Sequence, residues 1–158
     1  MQERPAMSYR NNLATPLCTL LLLLCSTISW ADSSTQHGAF TIHYNALQTD
    51  VLDPAVAKSY GITRSTRRGL LNIAVRKNQA TNALGEAAAA TVSANWTNLN
   101  GQMGRIPIRE IRERNAIYYI GEFAIRNTQT LTFNVRVSVP PGNTTSKNIS
   151  FRQQFFVK

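Results

Sequence analysis

The amino-acid sequence predicts an all-β protein: an antiparallel two-layer β-sandwich of immunoglobulin-like type, with about seven strands and one short connecting helix. Three observations carry that prediction. Strand signals with alternating apolar residues recur at short spacing through most of the chain, separated by turn residues. From Leu131 to Val139 the alternation is unbroken, with Leu131, Phe133, Val135, Val137 and Val139 set against Thr132, Asn134, Arg136 and Ser138, so one face is buried and one is wet. Parallel sheets need crossover helices, and no helical period long enough to supply them is present. A partly open barrel would use the same strand signals and is the alternative.

The chain opens on an export signal. Arg4 and Arg10 precede an apolar run from Leu17 to Cys25, and Ser29, Trp30 and Ala31 then place small residues at both recognition positions before Asp32. Residues 1–31 are therefore expected to be a secretory signal peptide cleaved after Ala31, with translation beginning at Met1 or Met7. The apolar run is shorter than the ~20 residues that cross a hydrocarbon core, which favours cleavage over an uncleaved transmembrane anchor, and no later segment is expected to span a membrane. Cys18 and Cys25 both fall inside the signal, and the mature chain must hold together without a disulfide. Leu24 argues against lipidation of Cys25, because a small residue normally precedes an acylated cysteine.

Residues 32–38 are small and polar, which predicts a flexible lead-in, with the sandwich domain spanning residues 39–158. Phe40, Ile42 and Tyr44 alternate with Thr41 and His43 in the first strand. A helix of about two turns follows: Asp53 caps it, Pro54 fits its first position, Lys58 sits in its last turn and Gly61 closes it. Its expected place is across one end of the sheets. Leu71, Ile73 and Val75 share a strand face, as do Val92, Ala94 and Trp96, and the polar segment from Lys77 to Gly85 reads as the turn between them. The alanines from Ala87 to Ala90 are too few to nucleate a helix. Asn98, Asn100 and Gly101 mark a reversal before Ile106 and Ile108. Ile117, Tyr119, Phe123 and Ile125 share one face while Tyr118 and Ile120 cover the other, as in a central strand. Residues 140–143 end the Leu131 strand, and Ile149, Phe151, Phe155 and Val157 close the sheet.

Charge points to the kind of partner. Of the 17 Lys and Arg only Arg4 and Arg10 precede Asp32, and of the 8 Asp and Glu only Glu3 does, which leaves 15 cations against 7 acids in the mature chain. Such a field raises the local concentration of anions, although many of these side chains serve to solvate outer strand faces. Arg64, Arg67 and Arg68 beside Tyr60 form the best candidate ligand site, since guanidinium forks hold phosphate or carboxylate bidentately. A structural role stands beside it, in which Arg64 pairs with a carboxylate or carbonyl and pins the loop. Arg109, Arg112 and Arg114 alternate with Glu110 and Glu113, which predicts a cross-strand ion-pair ladder. The sequons at Asn95, Asn143 and Asn148 read as ordinary polar residues.

Catalytic and metal chemistry finds no set of residues. A nucleophile needs a base and an orienting group, whereas His37 lies in the lead-in and His43 on the polar side of the first strand. Two histidines without cysteines or convergent carboxylates make no metal ligand set, and Asp53 is already accounted for as a cap near Asp50. No catalytic residue, metal or cofactor is expected. Nucleic acid is excluded by export and by the lack of a basic helix or stacking motif.

The run Ala57-Lys58-Ser59-Tyr60-Gly61-Ile62-Thr63-Arg64-Ser65, followed by Gly69-Leu70-Leu71-Asn72-Ile73-Ala74-Val75, resembles the signature of the DUF4426 family of uncharacterised exported bacterial proteins. Thr97-Asn98-Leu99-Asn100-Gly101-Gln102 and Arg109-Glu110-Ile111-Arg112-Glu113 leading into Ala116-Ile117-Tyr118-Tyr119-Ile120 match in the same order. The resemblance implies a gammaproteobacterial periplasmic protein and brings no activity or catalytic residue. The functional expectation is a periplasmic, non-catalytic binding or accessory module. It would contact an envelope protein or anionic ligand through sheet edges or the Arg64 to Arg68 loop. A structural or folding accessory of the envelope and a hydrolase with an unrecognised site are the alternatives.

Overall fold

Ten strands form two antiparallel sheets packed face to face in a computed structural model that describes residues 33–80, 82–139 and 146–157. The first sheet runs in the order β1 (Ser33–His37), β2 (Phe40–Gln48), β3 (Arg68–Gln79), β8 (Ile117–Ala124) and β7 (Arg109–Arg112). β4 (Asn82–Ala87) pairs with the far end of β3. The second sheet runs β10 (Ser146–Phe155), β9 (Gln129–Ser138), β5 (Thr91–Asn98) and β6 (Met103–Ile106). The chain is thus the antiparallel sandwich that the alternation predicts. The expected signal peptide and the sequon at Asn143 lie outside the described residues. Among the described residues no helix is long and apolar enough to cross a membrane.

Three segments differ from expectation and raise the strand number above seven. Residues 33–37, read as lead-in, are β1, paired with β2 from Ser33 opposite Tyr44 to His37 opposite Phe40. Gly38 at φ 57 turns the hairpin, in a conformation that other residues adopt at a cost. The polar stretch from Lys77 to Gly85 is not all turn: β3 continues to Gln79, and β4 returns with Lys77 opposite Glu86. Finally, β6 and β7 belong to different sheets, and the chain crosses between them at Pro107.

The core lies between the sheets because β2, β3, β8, β9 and β10 all turn their apolar alternates inward. Ile42, Leu71, Ile73, Leu131, Phe133 and Val137 have no exposed surface. β8 is the central strand its two apolar faces predict, with Tyr119 and Phe123 inside and Ile120 buried on the outer side. Ala88, Ala89 and Ala90 form no helix, and the amide of Ala90 donates to the Tyr119 hydroxyl at 2.7 Å, tying this connection to the core. Burial is the main cause that raises the Tyr119 pKa above its ordinary value. Neutral Tyr119 therefore favours the folded state below about pH 10, and that contribution is lost as pH rises from there towards the folded-state value. Tyr119→Phe should lower unfolding free energy by about 1 kcal/mol at neutral pH and flatten the alkaline limb of the stability profile, both measurable by urea unfolding against pH.

Helix α1 (Pro54–Ser59) starts and stops as its sequence dictates. The Asp53 carboxylate accepts from the amides of Ala55 (2.8 Å) and Val56 (3.2 Å), and Gly61 takes φ 62 at the exit. Its place differs from expectation. Instead of bridging one end of the sheets, α1 lies on the outer face of the first sheet, where Ala57 and Ile62 bury against Leu70 and Ile120 in a small second core. The outward alternates of β3 and β8 are apolar there, and the helix is what covers them.

Candidate functional site

The four residues singled out from the sequence are held by different parts of the first sheet. Tyr60 ends α1, donates its hydroxyl to the Glu113 carboxylate and accepts on its carbonyl from the Arg109 guanidinium. The hydrogen bond to Glu113 is the largest cause raising the Tyr60 pKa, followed by desolvation. Arg64 donates to the carbonyl of Asp50 at 2.5 Å. The fully buried Thr49 hydroxyl donates to the Thr63 carbonyl and accepts from the Ser65 amide, both at 2.9 Å, so the loop is tied down at its base. Arg68 pairs with Glu122 on the neighbouring strand at 3.4 Å. The exposed Arg67 guanidinium has no hydrogen bond or ion pair among the described residues. Tyr60 lines a cavity under α1 that none of the three arginines lines. Two of the three guanidinium groups therefore already have partners, and the pinning role falls to Arg64.

The second basic group is not a ladder across strands. Arg112 donates to Glu110 two residues earlier on β7, because alternate residues of one strand share a face, while Glu113 and Arg109 are engaged with Tyr60. His43 faces outward from β2, half-buried, opposite Ala74. Among the described residues no three His, Cys, Asp or Glu side chains lie close enough to hold a metal ion.

The outer face of the second sheet is the feature sequence reasoning missed. Register places Arg105, Asn95, Asn134 and Ser150 in one row across β6, β5, β9 and β10. Asn134 donates to Asn95 at 3.3 Å and Ser150 donates to Asn134 at 3.1 Å. The next row holds Ser93, Arg136 and Asn148, and a third holds the exposed Met103 with Thr97, Thr132 and Arg152. Between the first two rows lies a shallow depression of about 550 Å³ lined by Ser93, Asn95, Asn134, Arg136, Asn148 and Ser150. No strand of this sheet carries an acidic residue: the six described carboxylates, Asp50, Asp53, Glu86, Glu110, Glu113 and Glu122, all lie on the first sheet or its connections. Arg105, Arg136 and Arg152 are exposed and have no ion pair among the described residues. Guanidinium, amide and hydroxyl groups thus share one open surface without a counter-charge, an arrangement suited to an anion that also offers hydrogen-bonding groups.

Residues 34–158 match the family described as "Domain of unknown function (DUF4426)". The chain belongs to the DUF4426 family. A solved structure of a DUF4426 family protein from Pseudomonas aeruginosa is similar at 25% identity and a TM-score of 0.66, over 80% of this chain and 95% of its own. FetP of uropathogenic Escherichia coli shares the fold at 10% identity and a TM-score of 0.55, over 78% of this chain and 93% of its own. A copper-bound protein variant from Campylobacter jejuni does so at 12% identity and a TM-score of 0.51, over 78% and 94%. No curated protein matches the DUF4426 chain.

Proposed function

We propose that this DUF4426 protein is a non-catalytic binding module of the bacterial periplasm that recognises an acidic glycan of the envelope through the outer face of its second sheet. The observation that carries the reading is the partition of charge, with every described carboxylate on one layer and an acid-free layer bearing Arg105, Arg136 and Arg152 on the other. A surface free of carboxylates attracts polyanions without local repulsion, and neighbouring Asn, Ser and Thr groups meet sugar hydroxyls. An acidic glycan supplies both carboxylate and hydroxyl at repeating distances. Met103 is the single exposed apolar side chain that the strands of this face turn outward, too little for the apolar wedge a membrane-binding face needs among its cations. The periplasmic assignment rests on the Arg4 to Ala31 signal, and FetP, which shares the fold, was produced in the periplasm. Copper binding by two of the fold's other members is not carried over, since no three His, Cys, Asp or Glu side chains lie together among the described residues. Arg67, the uncommitted guanidinium of the Arg64 to Arg68 loop, offers a secondary contact on the opposite layer.

Calorimetric titration of the mature protein with polygalacturonate, neutral dextran and anionic vesicles tests this. Polygalacturonate should bind, weakening as salt rises, and dextran and vesicles should not. Replacing Arg105, Arg136 and Arg152 together by Gln should weaken binding about tenfold or more, at roughly 0.5–1 kcal/mol per exposed charge contact. Replacing Arg64, Arg67 and Arg68 by Ala should change it about twofold at most. Unchanged affinity in the first variant would end the proposal, and a loss confined to the second would move the site to the loop.

A further inference from the structure

Two turns of different kind shape one end of the sandwich. Between β5 and β6 the chain reverses within the second sheet, and between β8 and β9 residues 125–128 carry it from the first sheet to the second. Asn98 holds the reversal: its side-chain oxygen accepts from the amides of Asn100 (3.0 Å) and Gln102 (2.9 Å), and its amide group donates to the Gln102 side chain at 2.7 Å. The crossing turns at Asn127, which takes φ 59, a conformation asparagine adopts more readily than most residues. Both turns line an open pocket of about 670 Å³, a size usual for small-molecule sites. Trp96 is its aromatic wall. This side chain lies on the inward alternation of β5 and packs, partly buried, against the main core. Its indole occupies the place where a Cβ on the cross-strand partner Gly104 would stand, 2.4 Å from Cε2, so the glycine lets the ring lie across β6. The rest of the lining is of another character. Thr128, Gln129 and Thr130 have side chains with no hydrogen bond among the described residues. No acidic residue lines the pocket, and its single charged residue is Arg126, exposed and without an ion pair among the described residues. Met103 lines the pocket and also stands in the third row of the acid-free face, so the two are continuous at the edge of β6.

We infer that this pocket takes one carboxylate-bearing pyranose ring, the end unit of an acidic glycan, with the apolar face of the sugar on the Trp96 indole, its hydroxyls on the free amide and hydroxyl groups and its carboxylate on Arg126. The class of sugar rests on the reading of the outer face, whereas the pocket can be addressed alone by a monosaccharide. A pyranose presents C–H groups on a ring face and hydroxyls around its edge, which matches a lining divided into one indole and a margin of amides and hydroxyls. An aromatic acid would suit Trp96 and Arg126 but would strip water from those polar groups without bonding to them. A neutral sugar would forgo the charge-assisted contact with Arg126. The carboxylate and the hydroxyls therefore set specificity together.

From Asp32 onward Trp96 is the only tryptophan, so the fluorescence of the mature protein reports on this pocket. Titration with galacturonate, methyl galactoside and benzoate tests the inference. Galacturonate should change the emission saturably, methyl galactoside should bind about threefold to fivefold more weakly, the usual worth of one exposed charge contact, and benzoate should give no saturable change over the same range. Arg126→Gln, at an exposed position, should bring the two sugars within about twofold of each other. The protein with Arg105, Arg136 and Arg152 replaced by Gln should keep its galacturonate affinity within about twofold while its hold on polygalacturonate weakens, because those side chains do not line the pocket. No saturable change with galacturonate, equal affinity for the two sugars in the parent, a preference that survives Arg126→Gln, benzoate binding as tightly as galacturonate, or loss of galacturonate binding in the triple variant would each overturn the proposal. Polygalacturonate binding that ignores the triple substitution while the monosaccharide results hold would end the outer-face reading and leave the pocket standing.

Discussion

Phe133→Ala should lower the unfolding free energy by about 3–5 kcal/mol, the upper range for deleting a buried aromatic side chain. Phe133 stands in β9, an interior strand of the second sheet, with no exposed surface. Its ring meets Phe123 at 5.1 Å edge-on, Phe151 at 5.1 Å stacked and Phe155 at 6.2 Å edge-on. These partners come from β8 in the opposite sheet and from β10 alongside. A void at this point has walls on three strands whose positions are set by backbone ladders, so collapse is restricted and most of the cavity penalty remains. Phe133→Leu fills more of the space and should cost about 1–2 kcal/mol. Urea unfolding of both variants checks the ordering, with the slope against denaturant unchanged. A loss below about 1.5 kcal/mol for the alanine variant would mean that the sheets can close over the gap.

The elements that were legible are those with an apolar half to their alternation. Leu131 to Val139 and Ile117 to Ile125 bury one face completely, so their sequence period is their structural period. The short helix was legible because Asp53, Pro54 and Gly61 act locally. β1 was not, because Ser33, Thr35 and His37 on one face and Ser34 and Gln36 on the other are all polar and take their strand form from pairing with β2. β4 likewise depends on β3 extending beyond its apolar stretch. The placement of α1 needed knowledge that Leu70 and Ile120 become neighbours on one outer face, which is a fact of register between distant strands.

The candidate sites were hidden for a related reason. Along the chain Arg105 stands only a few residues before Arg109 and Glu110, and the cluster looks mixed and self-neutralising. Topology separates it, since β6 and β7 join different sheets and Pro107 is the crossing. Acid-rich and acid-free layers follow from that crossing and from the β5, β9 and β10 ladder, neither of which composition reveals.

Gly121→Ala should cost about 3 kcal/mol or more, because the crossing at Pro107 rests on that glycine. A Cβ on Gly121 would stand 2.4 Å from Ile106 Cγ2, 2.9 Å from Ile108 Cδ1 and 2.9 Å from the Pro107 carbonyl oxygen. All three fall below ordinary van der Waals separation, and the third is backbone. A side chain can turn aside, but the Pro107 carbonyl can retreat only if the whole crossing shifts, and the proline ring restricts the torsions through which it could do so. Gly69 provides the contrast, since the three atoms nearest to a Cβ there all belong to the Phe123 ring, the first at 2.2 Å. Ile108→Val removes one of the three offending atoms and should restore less than half of the loss in a Gly121→Ala background if the backbone contact decides the outcome. Urea unfolding of the single and double variants measures this. Because the crossing also sends Arg105 to one sheet and Arg109 to the other, a shifted crossing should weaken polygalacturonate binding in the folded fraction as well. A Gly121→Ala protein within about 0.5 kcal/mol of the parent would show that the crossing is free to move, and the charge partition would then need another anchor.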